Sequence, residues 1–201
     1  TIYPGTITVQ NGFITEVQRR NSGTYDTYIL PGFIDAHVHI ESSMLTPSEF
    51  GRMAAIHGTV AAVCDPHEIA NVLGLAGIRF MIDDAAKSPF KFYFGAPSCV
   101  PATPYETSGG HIGVEEIRQL LRDPRIHLLS EVMNFPAVIS SESEIMAKIA
   151  ASKDAGKPID GHAPGLSGDQ LSRYVKAGPT TDHECVDIGE AFEKISLGMR
   201  I

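Results

Sequence analysis

The sequence contains no tryptophan and only three cysteines, Cys64, Cys99 and Cys185, among its 201 residues. No two of these cysteines form a CxxC pair, and an odd number of cysteines cannot all pair within one chain. The spacing therefore disfavours both a disulfide framework and a cysteine zinc knuckle. Because unpaired thiols are typical of a reducing compartment, the sequence predicts a cytoplasmic protein.

Basic residues are also scarce, with 16 Lys and Arg against 24 Asp and Glu, which gives a formal charge of −8. This balance disfavours binding to the phosphate backbone of a nucleic acid and favours a small neutral or metal-bridged ligand. No run approaches the ~20 apolar residues of a membrane helix, and the first residues lack a charged segment followed by an apolar one. We therefore expect neither a nucleic-acid polymer nor a membrane as a partner.

The chain divides into two regions of different pattern. Residues 1–30 alternate apolar and polar residues around Asn11-Gly12, a strong hairpin signal, and we interpret them as a small β segment. Over residues 31–201, short apolar runs rich in Val, Ile and Phe alternate with stretches of helical period. The apolar runs cover residues 33–40, 59–67, 90–98, 126–135, 157–165 and 178–186.

Helix signals lie between the apolar runs. Residues 46–49 (TPSE) have the composition of a capping box with proline at the first helical position, and this helix is predicted to stop at Gly58. Further helices are predicted over Val114–Arg122 and over residues 141–156. Buried strands joined by helical crossovers form parallel sheets, so the chain is predicted to belong to the α/β class.

Each apolar run ends in polar residues, and this pattern favours a (β/α)8 barrel over an open sheet. In a barrel the C-terminal ends of the strands converge on one mouth, where residues distant in sequence meet. An open sheet would bring fewer of them together, near a switch point. We therefore predict an incomplete TIM-type barrel with about six βα units over residues 31–201.

His37 and His39 lie two residues apart at the end of the first apolar run. Alternation along a strand directs both imidazoles to one face, where they could share an ion; a hydrogen-bonded pair of core histidines is the alternative. His162 and His183 at equivalent strand ends, together with Glu131, favour the metal. Imidazole and carboxylate ligands suit Zn, Fe or Mn. Because this ligand set exceeds one tetrahedral site, we predict two ions that share Glu131, with a hydroxide between them as the nucleophile of a hydrolase.

Two further residues are candidates for roles beside the ions. Glu184 is the candidate proton shuttle, although on a regular strand it would face away from His183, and a surface glutamate is the alternative. His67, in the segment CDPHE, could be a ligand, a contact to the substrate or a neighbour of a helix cap. Of these roles for His67 we favour the contact to the substrate.

A resemblance to a known family is carried by five segments: PGFIDAHVHIESSM, CDPHEIANV, SEVMNF, DGHAPG and TTDHE. In this order they closely resemble the microbial adenine deaminase family of the amidohydrolase superfamily. PGFIDAHVH alone is typical of the whole superfamily, whereas the later segments are more specific. The resemblance runs from about residue 6 to residue 201, and it implies a barrel flanked by a β-sandwich domain to which residues 1–30 would belong.

The resemblance implies a reaction and a ligand set. The reaction is hydrolytic deamination of adenine to hypoxanthine and ammonia, a step of purine salvage, with two divalent ions, usually manganese or iron. The ligands would form one set for each ion, bridged by a carboxylate: His37 and His39, His162 and His183, and Glu131 as the bridge. Glu184 would be the proton shuttle, and the bridging hydroxide would attack C6 of the purine.

The chain also departs from the family. Members are far longer and place an aspartate at the end of the eighth strand as a further ligand and proton acceptor. A barrel typically needs ~250 residues, so we expect this chain to be a fragment. Two alternatives stay open: another amidohydrolase, such as a deacetylase or cyclic amidase, and a non-catalytic fragment that binds metal or depends on assembly. The open edges of an incomplete barrel also predict a homo-oligomer.

Overall fold

A computed structural model describes residues 2–103 and 105–201 of the protein. It divides into two compact units, one that ends at Gly32 and one over Phe33–Ile201. None of the helices in the described residues is both long enough and apolar enough to cross a membrane. The three cysteines are free thiols, two of them buried.

The first unit contains a β-hairpin. Strand β1 (Gly5–Gln10) pairs with β2 (Phe13–Arg19) in antiparallel register. Asn11 and Gly12 connect them with positive φ angles of 52° and 80°. A type I′ turn requires positive φ at both central residues, which asparagine and glycine tolerate best, so the hairpin predicted from this dipeptide is confirmed.

The second unit is built on a parallel sheet of five strands in chain order. The strands are β3 (Phe33–Val38), β4 (Thr59–Cys64), β5 (Lys91–Ala96), β6 (Ile126–Val132) and β7 (Ile159–Gly161). Each strand pairs in parallel with the next, and helices lie in the connections. The protein is therefore an α/β protein whose curled sheet corresponds to part of a (β/α)8 barrel.

Helices occupy every connection between neighbouring strands of this sheet. They are α1 (Pro47–Ala55), α2 (His67–Leu73), α3 (Leu75–Ala85), α4 (Val114–Arg122), α5 (Phe135–Ile139) and α6 (Ser143–Asp154), with a 3-10 turn over Ile40–Ser43. Two further helices, α7 (Gly168–Ala177) and α8 (Ile188–Ser196), follow β7. The three helices predicted from the sequence are present as α1, α4 and α6. The first of them ends at Ala55, three residues before the predicted stop at Gly58.

The core lies between the sheet and its helices. In α4, residues Ile117, Leu120 and Leu121 are buried at helical spacing, which places one apolar face of the helix against the sheet. Strand β6 is buried along its whole length except at His127. A strand enclosed in this way is held rigidly, and it fixes the position of Glu131 near its C-terminal end.

The sixth strand predicted over residues 178–186 does not form, and this part of the prediction is wrong. Within the described residues, Thr181 makes a single parallel bridge with Arg200 and no longer pairing. The extended conformation ends at Asp182, because Oδ1 of this residue accepts a hydrogen bond from the backbone N–H of Glu184 at 2.8 Å. The described sheet therefore has five strands rather than about six.

Candidate metal centre

Glu131 is the residue around which the predicted site residues gather. Its side chain is 2% exposed, so the carboxylate needs polar or charged partners. Oε1 lies 3.3 Å from Nε2 of His39 and 3.3 Å from Nδ1 of His67. Oε2 lies 2.8 Å from Nδ1 of His162 and 3.1 Å from Nε2 of His183. Both carboxylate oxygens therefore have imidazole nitrogens around them.

His37 and His39 reach this cluster from the end of β3. His37 lies on the strand, and His39 follows the strand with an extended backbone (φ −99°, ψ 102°), so side-chain alternation continues past the strand end. The two Nε2 atoms consequently lie 3.2 Å apart. Nε2 of His37 is also 3.8 Å from Oε2 of Glu131, which places both imidazoles next to the same carboxylate.

His162 is held at the cluster by a buried tyrosine. It follows β7 directly, and its backbone N–H donates to the hydroxyl of Tyr174 at 2.9 Å. The same hydroxyl donates to the carbonyl oxygen of Val132 at 2.8 Å. Tyr174 of α7 thus joins the C-terminal ends of β6 and β7, which brings His162 beside Glu131.

Two hydrogen bonds orient the imidazoles of the first strand. Nδ1 of His37 lies 2.8 Å from Oδ2 of Asp160, and Nδ1 of His39 lies 3.0 Å from the backbone carbonyl oxygen of Asp65. Because these oxygens accept, each Nδ1 carries a proton, and Nε2 is the ring nitrogen that would be available to a metal ion. This is the tautomer that a metal ligand needs.

The carboxylates and imidazoles of the cluster shift one another's pKa values. Burial alone would raise the pKa of Glu131, but four surrounding histidines outweigh burial and hold the pKa far below its ordinary value. Burial lowers the pKa of His183, whereas Asp160 and Glu131 raise it, with a net value of about 10. Burial also lowers the pKa of His39, but Glu131 and Asp65 together outweigh burial and bring it to about 9. The site is therefore a strong attractor of positive charge.

The donor atoms fit divalent metal ions. Ligand atoms that share an ion at ~2.0–2.2 Å lie roughly 2.9–3.5 Å apart. The imidazole nitrogens lie 2.8–3.8 Å from the oxygens of Glu131. Nδ1 of His162 makes no hydrogen bond within the described residues although it is 2.8 Å from Oε2, so it is directed beside that oxygen rather than at it. Imidazole and carboxylate donors together suit Mn, Fe or Zn.

Glu184, the predicted proton shuttle, is exposed one residue after His183. Within the described residues its side chain makes no hydrogen bond or ion pair, so its position neither joins it to the cluster nor excludes it. The turn at Asp182 removes the regular alternation that would have directed Glu184 away from His183. Asp182 itself accepts a hydrogen bond from the buried Lys194 at 2.6 Å, which assigns it to the packing of α8.

Two aspartates at this centre, Asp65 and Asp160, lie at polar strand ends predicted from the sequence but were assigned no role there. Asp65 lies at the end of β4 beside His67, and Asp160 lies on β7 beside His37. Each stands two residues before a histidine of the cluster, in the order Asp-x-His, at a strand end. Residues two apart share a strand face, so this spacing was the signal that could have identified both.

A cavity of about 230 Å³ adjoins the cluster at His67. Its lining consists of His67, Glu68, Asn71, Cys99, Ala102 and Glu106. A larger cavity of about 670 Å³ lies by Thr59 and Phe90, at the opposite ends of the strands, and holds none of the predicted site residues. The smaller cavity is therefore the space next to the reactive groups.

Comparison with protein families gives a decisive match, because the model of the amidohydrolase family covers residues 28–199. This chain belongs to the amidohydrolase family. Members of the family are metal-dependent, in agreement with the donor set around Glu131. The matched range contains the whole five-strand sheet and all the histidines of the cluster.

Curated relatives of this amidohydrolase carry the name adenine deaminase. Those of Sulfurovum sp. (strain NBC37-1) and Methanothermobacter thermautotrophicus are 56% and 58% identical over 200 residues, which is 100% of this chain and 37% of each relative. That of Methanosarcina mazei is 55% identical over 199 residues, 99% of this chain and 36% of the relative. The chain thus spans a little over a third of the length of these relatives. Among solved structures, a carboxyl transferase domain of Rhizobium etli pyruvate carboxylase covers 70% of this chain and 24% of its own at 17% identity, with a TM-score of 0.40, too low to carry an argument.

Proposed function

We propose that the intact protein converts adenine and water to hypoxanthine and ammonia, as a metal-dependent aminohydrolase of purine salvage. The convergence of four histidines on both oxygens of the buried Glu131 carries this proposal. The relatives named adenine deaminase support the choice of substrate. A hydrolase needs a strong nucleophile in neutral water, and a two-ion centre can supply one as metal-bound hydroxide.

The proposed ligands divide into two sets, one for each ion. His37 and His39 would hold one ion and His162 and His183 the other, with Glu131 between them. Manganese or iron is favoured, and zinc also fits the donors. When bound, the ions would lower the pKa of a water molecule and so supply hydroxide for attack on C6 of adenine.

The residues of the chain would place adenine and move protons. The cavity beside His67 gives adenine a space next to Glu131, and His67 in its lining can contact the purine. Glu184 would accept a proton from the attacking water and return it to the departing amino group, so that ammonia leaves. Its exposed position next to His183 allows the exchange of that proton with solvent.

We also propose a cellular location and an oligomeric state. Three free cysteines favour a location in the cytoplasm. Strand β3 is an edge of the described sheet, and its Phe33 and Ile34 are 58% and 64% exposed, which favours a homo-oligomer of the 201-residue chain. Sedimentation velocity of the purified 201-residue chain checks this statement, and a single monomeric species would contradict it.

Steady-state release of ammonia from adenine by the purified full-length protein, with added MnCl₂, tests the reaction. We expect turnover that a chelator abolishes and that Glu131→Gln reduces by more than ~100-fold, because removal of a central catalytic group costs at least this much. Release of acetate from N-acetylated amino sugars, or opening of a cyclic amide, would instead identify another amidohydrolase. Binding of manganese without turnover of any of these compounds would favour a non-catalytic metal protein.

A further inference from the structure

We propose that Asp65 and His67 are further ligands of the ion next to Oε1 of Glu131, which His39 also faces. This inference rests on the proposed function, because it concerns the make-up of the proposed two-ion centre. It adds one carboxylate and one imidazole to the ligands expected from the sequence, and it gives His67 a role at the metal.

The carboxylate of Asp65 is buried without a matching partner. Its side chain is 1% exposed, yet neither Oδ1 nor Oδ2 has a hydrogen-bond partner within the described residues. No lysine or arginine of these residues forms an ion pair with it either, and the contact it does make is with His67. A buried carboxylate left in this state is costly, so a positive group should lie against it.

His67 faces two carboxylates at once. Its Nδ1 lies 3.3 Å from Oδ2 of Asp65 and 3.3 Å from Oε1 of Glu131. Within the described residues this nitrogen has no hydrogen-bond partner, so it is directed at neither oxygen. Nε2 of His39 lies at the same distance, 3.3 Å, from Oε1. These separations equal the spacing of ligand atoms around one ion, roughly 2.9–3.5 Å for bonds of ~2.0–2.2 Å.

The backbone of Asp65 prepares the same site. Its N–H donates to the carbonyl oxygen of Val38 at 3.1 Å, which ties the end of β4 to the end of β3. Its carbonyl oxygen accepts from Nδ1 of His39 at 3.0 Å, which leaves Nε2 of His39 available to an ion. A single residue therefore orients one ligand through its backbone and offers a second through its side chain.

The composition of this set indicates the class of ion. With His37, which is proposed for the same ion, three imidazole nitrogens (His37, His39 and His67) combine with two carboxylate oxygens, from Asp65 and Glu131. Five protein ligands that include two hard oxygens favour Mn²⁺ or Fe²⁺, whereas zinc centres commonly have fewer protein ligands. The ring of His67 also lines the cavity beside the cluster, so coordination through Nδ1 leaves the rest of the ring in reach of a substrate.

A competing explanation is an ion pair without metal. Burial and the neighbouring His39 lower the pKa of His67, but Asp65 and Glu131 together raise it by more, so an imidazolium between Asp65 and Glu131 would also satisfy the charges. The two explanations differ in what a variant does to metal binding. An ion pair predicts a change in stability alone, whereas shared ligands predict the loss of an ion.

The test is the manganese content and affinity of the full-length protein and of Asp65→Asn and His67→Phe, by plasma mass spectrometry and isothermal titration calorimetry. Wild-type protein is expected to bind two Mn²⁺ ions. Each variant should bind one ion with unchanged affinity and the other ion more than ~100-fold more weakly. Loss of a group that only orients a ligand already lowers metal affinity by about 10–100-fold, and loss of a ligand should lower it further. The control Glu68→Gln, which lines the same cavity, should keep both ions.

Two results would overturn the inference. If both variants, shown to be folded by thermal melting, keep two ions with affinities within ~10-fold of wild type, Asp65 and His67 form an ion pair and are not ligands. If wild-type protein binds fewer than two ions, the two-ion centre fails and the inference fails with it. His67→Phe decides alone if Asp65→Asn does not fold.

Discussion

Nδ1 of His37 and Oδ2 of Asp160 lie 2.8 Å apart, although 123 residues separate them in the chain. The carboxylate is buried and also accepts a hydrogen bond from the hydroxyl of Thr181. This contact fixes both the orientation of the imidazole and the nitrogen that carries its proton. Asp160 is therefore a positioning residue for the proposed centre.

Asp160→Asn should weaken the binding of Mn²⁺ by ~10–100-fold, because the amide can present its N–H₂ to His37 and no longer enforces one tautomer. Isothermal titration calorimetry with MnCl₂ at constant pH measures this change. Asp154→Asn on the exposed end of α6 is the matched control and should bind manganese as wild type does. Equal affinities in both variants would remove Asp160 from the account.

His162→Ala should remove one of the two ions and nearly all turnover of adenine. The reason is that Nδ1 of His162 is the nitrogen nearest to Oε2 of Glu131, at 2.8 Å. His127→Ala offers a control on β6, since this histidine is exposed and outside the cluster. Metal analysis together with an ammonia assay gives both readouts. Retention of two ions in His162→Ala would show that the second ligand set is wrong.

Lys194→Met should lower the free energy of unfolding by ~3–5 kcal/mol, because it leaves a buried negative charge without its partner. Lys194 is fully buried and donates to Oδ2 of Asp182 at 2.6 Å, to the carbonyl oxygen of Ala163 at 2.7 Å, and to Glu190. Urea unfolding measures the change. Lys176→Met at an exposed position of α7 should stay within ~0.5 kcal/mol of wild type. If Lys194→Met changes the free energy of unfolding as little as Lys176→Met does, other contacts hold α8 in place.

The stability of the protein should fall in acid in part through Glu190. Burial raises the pKa of this residue, but Lys194 and the backbone N–H groups of Val186 and Gly165 outweigh burial and lower the pKa beneath its ordinary 4.5. A group with a lowered folded pKa contributes stability above its unfolded value and loses it as the pH falls through the folded value. The advantage of wild type over Glu190→Gln in urea midpoint should therefore be constant near neutral pH and shrink below about pH 4.5. A difference that does not change between pH 7 and pH 3 would contradict this role.

The proposed ligands could be found from the sequence because their signals are local. His37 and His39 follow from alternation, which continues past the end of β3, and Glu131 and His162 follow from their positions at strand ends. In a parallel α/β sheet the C-terminal strand ends lie at one edge, so local patterns predict a distant convergence. The amidohydrolase family was recognised from the same segments.

The parts that the sequence did not predict depend on contacts between distant residues. Thr46 was expected to cap α1, yet its side chain makes no capping bond, and Asp84 accepts from the backbone N–H of Ser48 at 2.9 Å. The predicted sixth strand likewise gives way to the turn at Asp182, whose carboxylate is held by Lys194. The contacts Asp84–Ser48 and Asp182–Lys194 join residues that no periodic pattern in the sequence relates, so they could not be predicted from it.

Anomalous diffraction at the manganese edge, from crystals of the full-length protein grown with MnCl₂, tests the central claim most directly. The account predicts two peaks, one within ~2.5 Å of each carboxylate oxygen of Glu131, with His39 beside the first and His162 and His183 beside the second. A map with no peak in contact with Glu131 would contradict it.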